Sequence, residues 1–108
     1  MTVNELASAD GFRPLALPQG EREAHGVYIG DLLSWVMGRA RAENVWVTIM
    51  SNINVAAVAS LADVSCVVFA EGVTPDDDVI ETARQKDINL LVSDRSAYEL
   101  AVWLHERL

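Results

Sequence analysis

The chain has 108 residues, 51% of them hydrophobic, which is enough for one domain with a single core and too few for two. Sixteen acidic residues against eight basic ones give a formal net charge of −8, which opposes general binding to nucleic acid or to anionic membranes. The longest mainly apolar stretch, residues 53–62, is about half of the roughly 20 residues that a membrane-spanning helix needs, and no secretory signal precedes the domain, so we expect a cytoplasmic protein.

The N-terminal residues predict a short helix. Thr2-Val3-Asn4-Glu5 has the Ser/Thr-x-x-Glu form of a capping box, so we place a helix over about Val3–Ala9. An extended piece is predicted at Arg13–Leu17. Residues 18–26 contain two glycines and few apolar side chains, which predicts a mobile connection.

From residue 27 onward the sequence repeats one unit four times: a short apolar run, a small polar turn and a segment that starts like a helix. The four runs are Val27–Ile29, Val45–Ile49, Cys66–Ala70 and Ile88–Val92. Strands that alternate with helices predict an α/β fold with a mostly parallel sheet covered on its faces. The four turns would then lie along one edge of that sheet.

The first two helices of the repeat differ in character. Asp31 is a good N-cap residue, and Leu33, Val36, Met37 and Ala40 follow it at the spacing of one helix face. The second helix, Ile53–Leu61, is apolar or small on nearly every side. Because such a helix must be covered all round, either the N-terminal segment or a second subunit has to cover it. We therefore predict a homodimer, with this helix or its neighbour at the interface.

The third helix is predicted to begin at Thr74-Pro75-Asp76-Asp77-Asp78, with Thr74 as the cap and Pro75 at the first helical position. The three carboxylates could be read as a metal site, but consecutive helix positions fan their side chains apart, and acidic groups suit the positive end of a helix. We expect them to stabilise the start of the helix.

The last helix starts with a second capping box, Ser96-Ala97-Tyr98-Glu99. One face is apolar, formed by Ala97, Leu100, Ala101, Leu104 and Leu108. Trp103 lies off that face, and two interpretations stay open for it: an exposed anchor for a partner, or partial burial against a neighbouring helix.

The turns after the strands supply the candidate ligand site. In a parallel sheet the strand ends and the helix starts form a crevice where ligands bind. The residues that would line it are Gly30, Asp31, Ser51, Asn52, Glu71, Gly72, Ser93, Asp94 and Arg95. Arg95 is the one cation among them, so it is our candidate for holding an anionic ligand or for pairing with Glu71.

Motifs for catalysis are missing from these turns. No Gly-x-x-x-x-Gly-Lys-Ser/Thr loop, dinucleotide fingerprint or Gly-x-Ser-x-Gly elbow occurs. Asp31, Glu71 and Asp94 could converge for acid–base chemistry or for Mg²⁺. The two aspartates are explained more simply as residues that cap helices or brace turns. The single cysteine, Cys66, sits in an apolar run and is predicted to be a buried thiol. We predict no catalytic residue, no metal site and no cofactor.

The whole chain resembles the DRTGG domain family, more narrowly its short stand-alone bacterial members. The resemblance rests on residues 26–37 and 46–49, on Asn54–Ala59, on Val67–Asp76 and on Ser96–Ala101. The name-giving residues differ, because Ser51-Asn52 stands where the family has Asp-Arg and Ala70-Glu71-Gly72 stands where it has Thr-Gly-Gly.

The resemblance implies a three-layer α/β/α fold with four or five strands, like the N-terminal domains of HPr kinase/phosphorylase and of the Mur ligases. It also implies a sensory or assembly role without kinase activity. The function we predict is a non-catalytic regulatory or protein-interaction domain that is dimeric, has an unidentified protein partner and holds a small anionic ligand in the crevice. The alternatives are a nucleotide-binding sensor module and a small metal-dependent enzyme that uses Asp31, Glu71 and Asp94.

Overall fold

The computed structural model describes all 108 residues, and the chain forms five strands and five helices. The strands are β1 (Phe12–Ala16), β2 (Val27–Ile29), β3 (Val45–Thr48), β4 (Cys66–Phe69) and β5 (Leu90–Ser93). The helices are α1 (Val3–Ser8), α2 (Leu33–Arg39), α3 (Val55–Ala62), α4 (Asp77–Gln85) and α5 (Ala97–His105). No helix is long and apolar enough to span a bilayer.

The strands form one sheet in the order β1-β5-β4-β3-β2. Strands β2 to β5 are parallel, whereas β1 runs antiparallel to β5, with Phe12 opposite Ser93. Because consecutive parallel strands are neighbours, the connecting helices α2, α3 and α4 lie on one face of the sheet. The other face is covered by α1 and α5, so the predicted α/β fold with a mostly parallel sheet and flanking helices is confirmed.

Two apolar cores, one on each face of the sheet, hold the layers together. Alternate residues of each central strand point to opposite faces. Trp46 and Phe69 therefore meet α2, α3 and α4, whereas Val45 and Val68 meet α1 and α5. Trp46 is completely buried, and its indole Nε1 donates a hydrogen bond of 2.9 Å to the carbonyl of Gly30.

Helix α3 is covered differently from the prediction. Val55, Val58 and Ala59 are buried within the chain itself, in a core that also includes residues of α2 and α4. Its outer side is not covered, and Leu61 is 75% exposed. The inner side of the helix is buried by α2 and α4, because its small residues let these helices approach it closely. The N-terminal segment does not cover the outer side, and its burial by a second subunit stays a prediction.

Two predicted helix caps were wrong. Asp31 lies before α2, which starts after Leu32 and has no side-chain cap. Asp76 occupies the N-cap position of α4 without a side-chain capping bond, so Thr74 and Pro75 lie outside the helix, while Asp77 and Asp78 occupy its first turn. Both predicted capping boxes were confirmed, at Thr2–Glu5 and at Ser96–Glu99. The hydrogen bonds from the Thr2 backbone and hydroxyl lower the pKa of Glu5.

The connection at residues 18–26 was predicted to be mobile, but it is fastened at several points. Arg22 donates hydrogen bonds to the carboxylates of Glu43 and Asp63 at 3.0 and 2.9 Å. Desolvation alone would lower the pKa of Arg22, but these two hydrogen-bonded carboxylates outweigh it and raise the pKa. At the other end, the buried side chain of Asn89 is bonded to the backbone of Gln19. These polar contacts replace the apolar packing that the segment lacks.

Cys66 is fully buried on β4, as predicted, and burial raises the pKa of its thiol from 9.0 to about 12. Above pH 9 an unfolded chain releases this proton while the folded chain retains it, so the stability of the fold must fall as pH rises from 9 towards 12. The expected loss is on the order of 1 kcal/mol per pH unit. Urea unfolding of the protein and of Cys66→Ala at pH 8 to 11 tests this, and equal slopes for the two proteins would contradict it.

Candidate functional site

The predicted site residues are gathered at one end of the sheet, called here the C-terminal edge: the ends of β2 to β5 and the turns that follow them. This edge contains two depressions. The smaller, of about 90 Å³, lies beside the start of α5 and is lined by Ile29, Asp31, Val47, Thr48, Ile49, Ala70, Glu71 and Ala97. The larger, of about 250 Å³, lies where β5 meets β1 and is lined by Gly11, Phe12, Arg13, Val92, Ser93 and Asp94. Asp31 and Glu71 therefore share one depression, and Ser93 and Asp94 share the other.

Asp31 ties the end of β2 to the end of β3. Its carboxylate accepts hydrogen bonds from the Thr48 hydroxyl and from the backbone N–H of Ile49, both at 2.9 Å. The Thr48 hydroxyl in turn accepts a bond from the N–H of Met50. Asp31 braces a turn, as the simpler interpretation had it. Thr48 was not predicted to be a site residue. It is the one polar residue in the run Val45–Ile49, and this break in the apolar pattern could have indicated its role.

Glu71 and Gly72 form the tight turn after β4, and both have positive φ angles, of 57° and 70°. Their N–H groups bond to the carbonyls of Arg95 and Ser93, both at 2.8 Å. A Cβ atom at position 72 would stand 2.9 Å from Oδ1 of Asp94. Glycine is required at position 72 for both the backbone conformation and the close approach of Asp94.

Arg95 does not reach into the depression that holds Glu71. Its guanidinium donates a hydrogen bond of 2.9 Å to the carbonyl of Asp10 and lies 5.5 and 5.7 Å from the rings of Phe12 and Trp103. It makes no salt bridge with Glu71, to which it is joined only through the backbone. Trp103 is half-buried against Phe12 of β1, with ring centroids 4.9 Å apart, so it is partly buried, although against a strand and not against a neighbouring helix.

Ser51 and Asn52 lie in the turn before α3. The side-chain oxygen of Asn52 accepts a bond from the N–H of Asn54, while the helix itself has no side-chain cap. The starts of the other long helices are less open to an anion, because Ser96 caps α5 and Asp76, Asp77 and Asp78 surround the start of α4. Of the helices with eight or more residues at this edge, α3 has the start best suited to a negative group.

The electrostatics of the C-terminal edge are dominated by exposed carboxylates. Asp31, Glu71 and Asp94 are all exposed, and the one arginine among the candidate residues is turned away from them. Nowhere do three or more His, Cys, Asp or Glu side chains form a group that could hold a metal ion. Asp31, Glu71 and Asp94 therefore do not converge as the metal-dependent alternative requires.

Ser93 also has a structural role. It is 2% exposed, and its hydroxyl accepts a bond of 3.2 Å from the N–H of Arg95. The hydroxyl holds the turn into α5, so it is not free to act as a nucleophile. Gly30 contributes only its backbone. Its N–H donates to the carbonyl of Val47, and its carbonyl accepts from the indole Nε1 of Trp46.

The sequence matches no protein-family model and no curated protein. The fold is similar to a solved structure of the CBS and DRTGG domains of the regulatory region of Clostridium perfringens pyrophosphatase, in complex with its activator, diadenosine tetraphosphate. The TM-score is 0.72 at 11% sequence identity, over 94% of this chain and 44% of the pyrophosphatase chain. This chain thus spans less than half of that protein's length, and the likeness shows that it shares the fold of a region that contains a DRTGG domain.

Proposed function

We propose that this chain is a non-catalytic regulatory domain of the DRTGG type, which acts by binding at the C-terminal edge of its sheet. The observation that carries the proposal is that Asp31, Ser93 and Arg95 are held in contacts that stabilise the fold, while the free carboxylates of Glu71 and Asp94 lie in separate depressions. Asp31 is bonded to Thr48, Ser93 to the backbone of Arg95, and Arg95 to Asp10. A nucleophile or general base needs a free reactive atom next to an activating group, and neither depression is lined by a histidine or cysteine that could pair with these carboxylates.

The occupant that this proposal favours is another protein. The edge is shallow, since its two depressions, of about 90 and 250 Å³, are both below the 300–1,000 Å³ usual for small-molecule pockets. Its rim is apolar, with Ile29, Ile49 and Ile53 between 44% and 47% exposed. Exposed apolar side chains around acidic groups are typical of a surface that contacts a polypeptide.

A nucleotide sensor is the second candidate. It is favoured by the activator in the pyrophosphatase structure and by the uncapped start of α3, where Ser51 and Asn52 would lie beside the phosphates. A phosphate there would accept bonds from free backbone N–H groups. The three exposed carboxylates oppose it, because they repel a polyanion across the same edge.

Thermal unfolding separates the two candidates. A bound nucleotide at a hundredfold excess over its dissociation constant would add about 2.7 kcal/mol of stability. We expect diadenosine tetraphosphate and ATP, each with and without Mg²⁺, to leave the melting temperature unchanged. A rise with either nucleotide would establish the sensor instead. In that case Asn52→Asp, which keeps the bond to Asn54 and adds a negative charge, should abolish the rise, whereas Ala42→Asp, at the opposite end of β3, should not.

The absence of catalysis is tested on the same samples. After long incubation, chromatography should recover both nucleotides intact. Hydrolysis by the unchanged protein that is lost in Asp31→Asn or Glu71→Gln would overturn the proposal and support the metal-dependent enzyme instead.

A further inference from the structure

Exposed apolar side chains are distributed unevenly over the molecule. Ten large ones are at least 36% exposed: Ile29, Leu32, Trp35, Met37, Ile49, Ile53, Leu61, Tyr98, Val102 and Leu108. Seven of them belong to β2, α2, α5 or the residues that adjoin these elements, and none belongs to α1, β1, α4 or β5. The apolar surface therefore lies at the β2 side of the sheet.

Strand β2 is an edge strand with unused hydrogen-bonding groups. Gly26 and Gly30 both bond to β3, through the carbonyl and the N–H respectively. Since alternate residues of a parallel strand point the same way, Tyr28 also faces β3, and the backbone groups of Val27 and Ile29 face outward. Such an edge accepts another strand unless something covers it.

Helix α5 lies next to this open edge. A groove of about 280 Å³ runs between them, lined by Gly26, Val27, Ile29, Ala101, Leu104, His105 and Leu108. Beyond the groove, Tyr98 is 78% exposed and Val102 44% exposed, one helical turn apart. The side chains of Val27, Ile29, Tyr98, Ala101, Val102, His105 and Leu108 are called here the β2–α5 surface.

We propose that the β2–α5 surface is a homodimer interface, in which two copies of the chain are related by a two-fold axis perpendicular to the sheet. One such axis pairs β2 with the second β2 in antiparallel fashion and at the same time sets the two α5 helices side by side and antiparallel. A three-residue strand contributes few hydrogen bonds, so the helices must supply most of the roughly 800 Å² per partner that a stable dimer buries.

The β2–α5 surface of one copy is suited to pack against the same surface of a second copy. Tyr98 and His105 are placed symmetrically about Ala101 and Val102, so in antiparallel helices the tyrosine of one copy packs on the histidine of the other. The small side chains in the middle let the helices approach closely.

Charge also favours a second copy over another partner. The β2–α5 surface contains no Asp, Glu, Lys or Arg side chain, so it carries no formal charge. The whole net charge of −8 belongs to the rest of the chain. Two copies can join at the neutral side without strong repulsion, whereas a basic partner would be drawn to the remaining surface.

Light scattering across the micromolar concentration range tests the proposal without any ligand, so its result is independent of what the C-terminal edge binds. We expect the protein to have twice the mass of one chain. Val102→Glu should have the mass of one chain and an unchanged melting profile at low concentration. Leu61→Glu is the matched control, because it places the same charge on an exposed apolar position of α3, and it should stay dimeric.

A cross-link locates the axis. Val102→Cys should form a disulfide-linked dimer on mild oxidation, since residues near the axis come within the roughly 7 Å that a disulfide spans between Cα atoms, while Leu61→Cys should not. The native Cys66 is buried and does not compete. A monomeric protein, a dimeric Val102→Glu variant, or cross-linking through Leu61→Cys alone would each overturn the proposal.

Discussion

Replacing Trp46 with alanine is expected to lower the free energy of unfolding by about 3–5 kcal/mol, the cost of removing a large aromatic side chain from a packed core. Trp46 is completely buried in the middle of the sheet, where it meets the helices α2 and α3. The substitution leaves a cavity that the neighbouring strands cannot close. It also removes the hydrogen bond from Nε1 to the Gly30 carbonyl, which fixes the turn at the end of β2.

The chain supplies its own control for this substitution. Trp35 on α2 is 52% exposed and packs mainly against the guanidinium of Arg39, 3.6 Å from its ring centroid. Trp35→Ala should cost about 1 kcal/mol or less, the usual contribution of an exposed cation–π contact. Urea unfolding of both variants measures the difference, and similar losses for the two would show that burial of the indole is not what stabilises the sheet.

Asn89→Asp is expected to destabilise the fold by about 3 kcal/mol although it hardly changes the shape of the side chain. The amide nitrogen of Asn89 donates to the carbonyls of Gln19 and Ser65, at 2.8 and 2.9 Å, and its oxygen accepts from the N–H of Gln19 at 2.9 Å. A carboxylate cannot donate, so the substitution sets a buried negative charge against two carbonyl oxygens.

Asn54→Asp makes the same chemical change at an exposed position before α3 and should shift stability by less than about 0.5 kcal/mol. The two variants can be compared by urea unfolding at neutral pH. Limited proteolysis adds a local readout, because loss of the Asn89 contacts should expose the connection at residues 18–26 to cleavage first. An unchanged midpoint for Asn89→Asp would mean that this connection is held by other contacts.

The repeated strand–helix unit made most of the fold predictable from the sequence. Apolar runs and capping boxes are local signals, and the structure places β2 at Val27–Ile29 and helix starts after Thr2 and Ser96, where the sequence predicted them. Two of the wrong predictions share one cause. Asp31 and residues 18–26 were assigned from near neighbours in sequence, whereas their contacts are set by tertiary structure: Asp31 bonds to β3, and the connection is held by Glu43, Asp63 and Asn89. Thr74 instead bonds locally, to the carbonyl of Gly72.

The candidate site was predictable in position but not in geometry. Parallel strands necessarily bring their ends together, so the turns at Asp31, Glu71 and Asp94 had to share an edge. The direction of a long side chain is not fixed by that rule. The Arg95 side chain points away from the edge because its guanidinium contacts the Asp10 carbonyl and two aromatic rings. These contacts come from the first 12 residues and from the last helix, so the turn sequence alone could not predict them.

The antiparallel strand β1 has a consequence for how the chain is made. It is synthesised before every other strand, yet its partner β5 is the last to emerge, since Pro14 pairs with Leu91. Strands β2 to β4 find their neighbours as translation proceeds, each from the strand just before it. The first strand stays unpaired until Leu90–Ser93 have been synthesised, so we expect the β1–β5 pairing to form after the pairings among β2, β3 and β4.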